Sequence, residues 1–238
     1  MSIAEKLTTI AENEQRVYDS GYDKAERDKE LKIWEILSGN GTRIRYEKCF
    51  YSASFPKDYT FAKPIVPNYC TQMFYDMKGQ FPKNIDLSNV KPSNMTTSNE
   101  SNQNSGLFAW SVNATYLYDM GLQAPGVYFS TWSYCKALKT IEKIRVTKST
   151  KFSGSSIGPP FEQCGALENV TFEGEIGQNL SMSSCSKLTY ESLSNIISCL
   201  YDYSAEGVTK TLTLHATAKA RLTEDDIKTI TDKGWTLV

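Results

Sequence analysis

Apolar positions in the first 37 residues fall at helical spacing. Ile3, Leu7, Ile10 and Val17 recur at intervals of three, four and seven, Glu14 interrupts the series, and Leu31, Trp34 and Leu37 resume it. The spacing predicts a helix over 2–37 with Ser2 as N-cap; Gly21 either ends its first part or is tolerated inside it at a cost of about 1 kcal/mol. The stripe is one residue deep per turn, closer to a coiled-coil seam than to the wider face of a globular helix. A narrow stripe on a short helix is marginal alone. Ile3, Leu7, Ile10 and Val17 are therefore expected to form the interface of a homo-oligomeric stalk; the alternative is a helix lying on its own domain. Ser38-Gly39-Asn40-Gly41 stops the helix and sets a boundary, giving residues 1–42 as a docking or oligomerisation segment.

Beyond residue 42 the pattern changes. Residues 43–92 mix Pro56, Pro64, Pro67, Pro82 and Pro92 with many aromatic rings, which predicts irregular short strands and turns. Residues 93–106 are polar without periodicity and predict a long loop. From 107 onward a unit recurs: an aromatic residue or Met, two residues, Cys, two residues, Leu. It is seen at Trp132, Cys135 and Leu138, at Phe161, Cys164 and Leu167, and at Met182, Cys185 and Leu188. A weaker copy begins at Trp110-Ser111, matched to Trp132-Ser133. Cys135 to Cys164 is 29 residues and Cys164 to Cys185 is 21, periods in the range of leucine-rich repeats.

Each unit offers a turn and then a short β-branched run, such as Ile144–Val146 or Val170–Phe172, that cannot bury its apolar side alone. Stacked coils share a core and a ladder of parallel strands. The expected fold is α/β: an N-terminal helical stalk, an irregular region over 43–106, and over 107–238 a degenerate leucine-rich-repeat solenoid. Cys135, Leu138, Cys164, Leu167, Cys185 and Leu188 are its expected core. A serine at Cys164 should then place an unpaired hydroxyl in an apolar turn, at a cost of roughly 1 to 3 kcal/mol. Thr209–Leu214 alternates as a strand, Thr223-Glu-Asp-Asp226 opens a helix, and Trp235–Val238 reads as a last strand. Together with the rest of 190–238 they form the expected terminal cap.

Composition narrows the function. Lys+Arg 26 against Asp+Glu 27 gives a net charge of -1, which argues against a nucleic-acid partner. No run is long and apolar enough to predict a membrane span. Ser 25, Thr 22, Asn 13 and Gln 7 make up about 28% of the chain, with 12% aromatic residues. The six cysteines form no Cys-x-x-Cys pair, so no metal site is expected, and buried free thiols are the favoured state. Met1–Arg16 lacks the apolar centre of a secretory signal, so synthesis and retention in a cytosol are expected. The six N-x-Ser/Thr sequons then follow from composition. The single histidine, His215, sits among no nucleophile or phosphate-binding motif and is expected at a strand end, satisfied by a carbonyl. Glu224, Asp225 and Asp226 read as first-turn capping residues. No cofactor is expected.

The amphipathic start MSIAEKLTTIAENEQRVYDSGYDK, the Cys-x-x-Leu units and the end KTLTLHATAKARLTEDDIKTITDKGWTLV together resemble the BspA-like leucine-rich-repeat proteins of phages and prophages of gut Firmicutes. The likeness is most specific over residues 1–24 and 160–238. It implies a non-enzymatic component of the virion, in a tail fibre or baseplate. Such a protein assembles in the bacterial cytoplasm, forms a homotrimer, contacts other tail proteins and presents its repeat surface to a host glycan or protein. A bacterial surface adhesin of the same repeat class is the first alternative, and a carboxylate-dependent cell-wall glycan hydrolase the second.

Overall fold

The computed structural model describes residues 50–67, 70, 72–90, 107–128, 130–152 and 159–238, with the backbone alone at Ala62 and Lys63. The expected stalk, including Ile3, Leu7, Ile10 and Val17, and the polar run 93–106 lie outside the described residues. What is described is mixed α/β, with short parallel strands in three small sheets. Strand β1 (Thr60–Ile65) pairs with β2 (Lys83–Ile85). The second sheet holds β3 (Tyr116–Leu117), β4 (Thr140–Val146) and β5 (Asn169–Gly174), in that order. The third holds β6 (Leu180–Met182), β7 (Lys210–Leu214) and β8 (Trp235–Leu237). The helices are α1 (Tyr190–Cys199), α2 (Ala216–Lys219) and α3 (Glu224–Asp232).

The turns that precede β3, β4 and β5 bury every third residue. Phe108, Ser111, Ala114 and Leu117 are buried in one; Trp132, Cys135, Leu138 and Ile141 in the next; Phe161, Cys164, Leu167 and Val170 in the third. Met182, Cys185 and Leu188 repeat the spacing before α1. The first residues of these turns stack as rings: Phe50 on Phe74, Phe74 on Phe108, Phe108 on Trp132 and Trp132 on Phe161, at 5.3, 5.5, 6.5 and 5.1 Å between centroids. Main-chain bonds follow the rings from turn to turn. Phe50 N–H donates to Met73 O, Phe74 to Leu107, Phe108 to Thr131 and Trp132 to Pro160, all at 2.9 to 3.1 Å. One hydrophobic core extends from Phe50 to Trp235.

This geometry corrects the alignment of the first copy. Phe108, not Trp110, is the counterpart of Trp132, and Ser111 stands where the next turn has Cys135. Two further turns lie in the region expected to be irregular, with Ala53 and Met77 three residues after Phe50 and Phe74. The third position also has a polar use. Ser111 Oγ donates to Phe74 O, Cys135 Sγ to Phe108 O and Cys164 Sγ to Trp132 O, each at 3.0 Å. The group in this position thus donates to the carbonyl of the ring residue one turn back, at Trp132 as a second donor beside the Cys135 amide, and a serine already occupies it once. The expectation of an unpaired hydroxyl at Cys164 is therefore replaced by that of a paired one.

The C-terminal part closes the exposed edge of β5. Helix α1 was not read from the sequence, although Leu193, Ile196, Ile197 and Leu200 carry helical spacing. Ser192 Oγ accepts from Val170 N–H at 3.0 Å and donates to Glu168 O at 3.2 Å. Asn195 accepts from Phe172 N–H at 2.7 Å and donates to Phe172 O at 3.2 Å. Side chains of a helix thus take over hydrogen bonds that another strand would make, and an open edge is removed. Lys233 Nζ binds the Ile197, Ser198 and Leu200 carbonyls at the end of α1, cations being favoured there. Thr223 and Asp226 form a reciprocal capping box on α3. Gly234, at φ +80, turns the chain from α3 into β8.

Candidate ligand-binding edge

The residue two places after each stacked ring has a left-handed backbone. Ser52, Asp76, Trp110, Tyr134 and Gln163 have φ of 56, 59, 62, 63 and 60°. Such a conformation is uncommon for non-glycine residues and unusual for bulky ones. Here the backbone ladder imposes it: Trp110 N–H donates to Ser133 O and Tyr134 N–H to Glu162 O, both at 2.8 Å. The consequence is positional. The ring at the first position points in, and the residue two further on is turned outward along one edge.

On that edge the Trp110 indole is 43% exposed. It stacks on Tyr134 with centroids 4.2 Å apart and planes within 6°. Tyr51 and Tyr75 form a second stacked outer pair, at 5.5 Å and 7°. Beside Tyr134 lies a shallow groove with Lys136, Gln163, Ser183, Ser184 and His215 around Gly165. Lys136 Nζ is 6.0 Å from the Tyr134 ring centroid, so platform and groove are contiguous. His215 is the N-cap of α2, and its Nδ1 accepts from Thr217 N–H at 3.1 Å. The imidazole is thus an acceptor from an amide rather than a donor to a carbonyl, and Nε2 is left to carry the proton.

The solvent face of the second sheet differs in character. Arg145 binds both carboxylate oxygens of Asp119, at 2.8 and 2.9 Å. Tyr116 Oη and the Asp119 amide both donate to Glu142, at 2.7 Å each. Lys143 pairs with Glu173, and next to this face, on the first sheet, Lys83 pairs with Asp58. Hydrogen bonds to Arg145 and Lys143 hold Asp119 and Glu173 below their ordinary range, and the bond to Glu142 pushes Tyr116 up to about 12. These groups are committed to one another.

No family model, curated protein or solved structure matches this chain.

The expected core residues Cys135, Leu138, Cys164, Leu167, Cys185 and Leu188 all lie inside, each at 0% exposure. Burial pushes the Cys164 thiol up to about 12 and the Cys135 and Cys185 thiols well above their ordinary value. They are neutral packing groups, not nucleophiles. Among the described residues no three His, Cys, Asp or Glu side chains converge on a metal position, and no helix is long and apolar enough to cross a membrane. Sequence reasoning missed the Trp110–Tyr134 platform. Its signal was present: Phe108-x-Trp110-Ser111 aligns with Trp132-x-Tyr134-Cys135 once the rings are matched two residues earlier.

Proposed function

We propose that this chain is a non-enzymatic recognition protein of a phage particle. In this reading it is a leucine-rich-repeat solenoid on an N-terminal oligomerising helix, and its outer edge binds glycan at the host surface. The observation that carries the binding reading is the stacked Trp110–Tyr134 pair, with Trp110 exposed and Tyr134 half-buried, held outward by left-handed backbone on a buried, hydrogen-bonded stack. Aromatic rings supply broad contact area at low conformational cost, and a sugar ring offers its C–H face to them. The neighbouring groove contributes amide, hydroxyl, imidazole and ammonium groups. Stacked turns, a ring column and parallel strands support the solenoid; the Cys-x-x-Leu resemblance supports the virion and the tail-fibre or baseplate position. Several copies on one stalk would convert weak single-site contacts into avid attachment.

A glycan array probed with the full chain and with Trp110→Gly tests this function. Glycine adopts the left-handed backbone freely, so the variant should fold, and its binding should fall by roughly tenfold or more. Equal binding by both chains, or capture of a host protein with no glycan bound, overturns the glycan reading. Antibody labelling of purified particles checks the virion location.

A further inference from the structure

The electrostatics of the groove beside the platform specify the ligand further. None of the side chains that line it is acidic; on the platform side the Glu162 carboxylate accepts from the Tyr134 hydroxyl at 3.5 Å. Among the described residues, Lys136 enters no ion pair and the Gln163 amide meets no protein partner. His215 has its Nδ1 occupied by the Thr217 amide and its Nε2–H free. Five lysines elsewhere on the described surface are ion-paired, Lys78 with Asp76, Lys83 with Asp58, Lys143 with Glu173, Lys148 with Glu206 and Lys228 with Asp232; Lys57, Lys139, Lys151 and Lys187 share the unpaired state of Lys136, but none of them lines the groove. Lys136 is thus a free ammonium set against a stacked ring, in a groove whose uncommitted groups are mainly donors.

A donor-rich groove without a carboxylate is complementary to an acceptor-rich, negatively charged group. The geometry points to an anionic glycan: a sugar ring against Trp110 and Tyr134, with a carboxylate or phosphate substituent in the groove near Lys136, Gln163 and His215. This inference rests on the glycan-binding reading of the same edge. The groove is open to solvent, so the charge contributes modestly and is screened by salt.

Titration calorimetry of the full chain with two matched pairs of probes tests it. One pair is tetragalacturonate and its full methyl ester; the other is maltotetraose 6-phosphate and maltotetraose. The charged member of a pair should bind roughly five- to tenfold tighter at low salt, and the advantage should shrink as salt rises. Lys136→Gln should erase the difference within each pair. A preference confined to the first pair identifies a uronic-acid glycan; one confined to the second identifies a phosphate-substituted polymer. Equal affinity within both pairs, or a preference that persists in Lys136→Gln, overturns the inference. If neutral binding is still lost in Trp110→Gly, the platform reading survives that result. If none of the four probes binds, the anionic-glycan inference falls, and the glycan array alone decides the platform reading.

Discussion

Two residues separate the inner wall of the stack from its outer edge. On the inside, Phe50, Phe74, Phe108, Trp132 and Phe161 are buried and stacked face to face. On the outside, Ser52, Asp76, Trp110, Tyr134 and Gln163 repeat the backbone conformation with no common chemistry. The inner positions are held to one shape because each ring touches the rings of the turns on either side. The outer positions share a conformation imposed by the ladder and are otherwise free to vary, which is where recognition can change without loss of the fold. Stability therefore belongs to the inner wall, and on the proposed function ligand choice belongs to the edge.

The sharpest break of this contrast uses one residue type in both places. Trp132→Ala opens a cavity between the Phe108 and Phe161 rings and should cost about 3 to 5 kcal/mol, read as a fall in denaturation midpoint. Trp110→Gly should change stability by less than about 1 kcal/mol, because lost stacking is offset by relief of the left-handed strain. Trp132→Phe sharpens the point. The buried indole N–H meets no acceptor among the described residues, so phenylalanine removes an orphan donor and should cost far less than alanine. Comparable losses in Trp110→Gly and Trp132→Ala would end the division between wall and edge.

The wall also has an end. Ser192→Ala leaves the Val170 amide without its acceptor beneath α1 and should cost about 1 to 3 kcal/mol. Faster hydrogen exchange at Val170, with Ile141 unchanged, would locate the effect at the edge of β5. Unchanged exchange would mean that α1 does not protect this strand.

Alkali tests the thiols of the same wall. Cys164 is raised in the fold to about 12 from an ordinary 9.0, so the folded chain holds its proton more tightly than the unfolded one. That stability is fully present below pH 9 and is lost as pH rises towards 12. The slope is at most about 1.4 kcal/mol per pH unit per thiol. Denaturant midpoints between pH 8 and 11 should fall, and fall less steeply in Cys164→Ala. Parallel profiles would show that the thiol is not protected in the fold.

The turns at Cys135, Cys164 and Cys185 were legible because cysteine is rare enough for its recurrence to stand out. The earlier turns were not, because Ala53, Met77 and Ser111 fill the same position with nothing in common but a fit. Trp110 was misaligned for a related reason: a Trp-Ser pair is conspicuous, whereas the sign of a backbone dihedral leaves no mark in composition. The C-terminal strands and the α3 cap were readable because alternation and Thr-x-x-Asp act locally. Helix α1 carries an equally local pattern, but its purpose, hydrogen bonding to β5 through Ser192 and Asn195, is a long-range property. The outer edge could be located only with the ladder in place.

The smallest expected effect tests what the inner third position requires. If it selects for an apolar group, Cys164→Ser is damaging and Cys164→Ala is mild. The bond from Cys164 Sγ to Trp132 O, and its equivalent from Ser111 Oγ to Phe74 O, favour the opposite order. A serine at 164 keeps a second donor facing the same carbonyl and should cost less than about 0.5 kcal/mol, while alanine leaves that carbonyl with the Cys135 amide alone and should cost about 1 kcal/mol. Matched denaturant titrations of the two variants decide it. Alanine as the milder change would mean that the column is held by apolar packing alone, and that the thiol–carbonyl contacts contribute nothing to the fold.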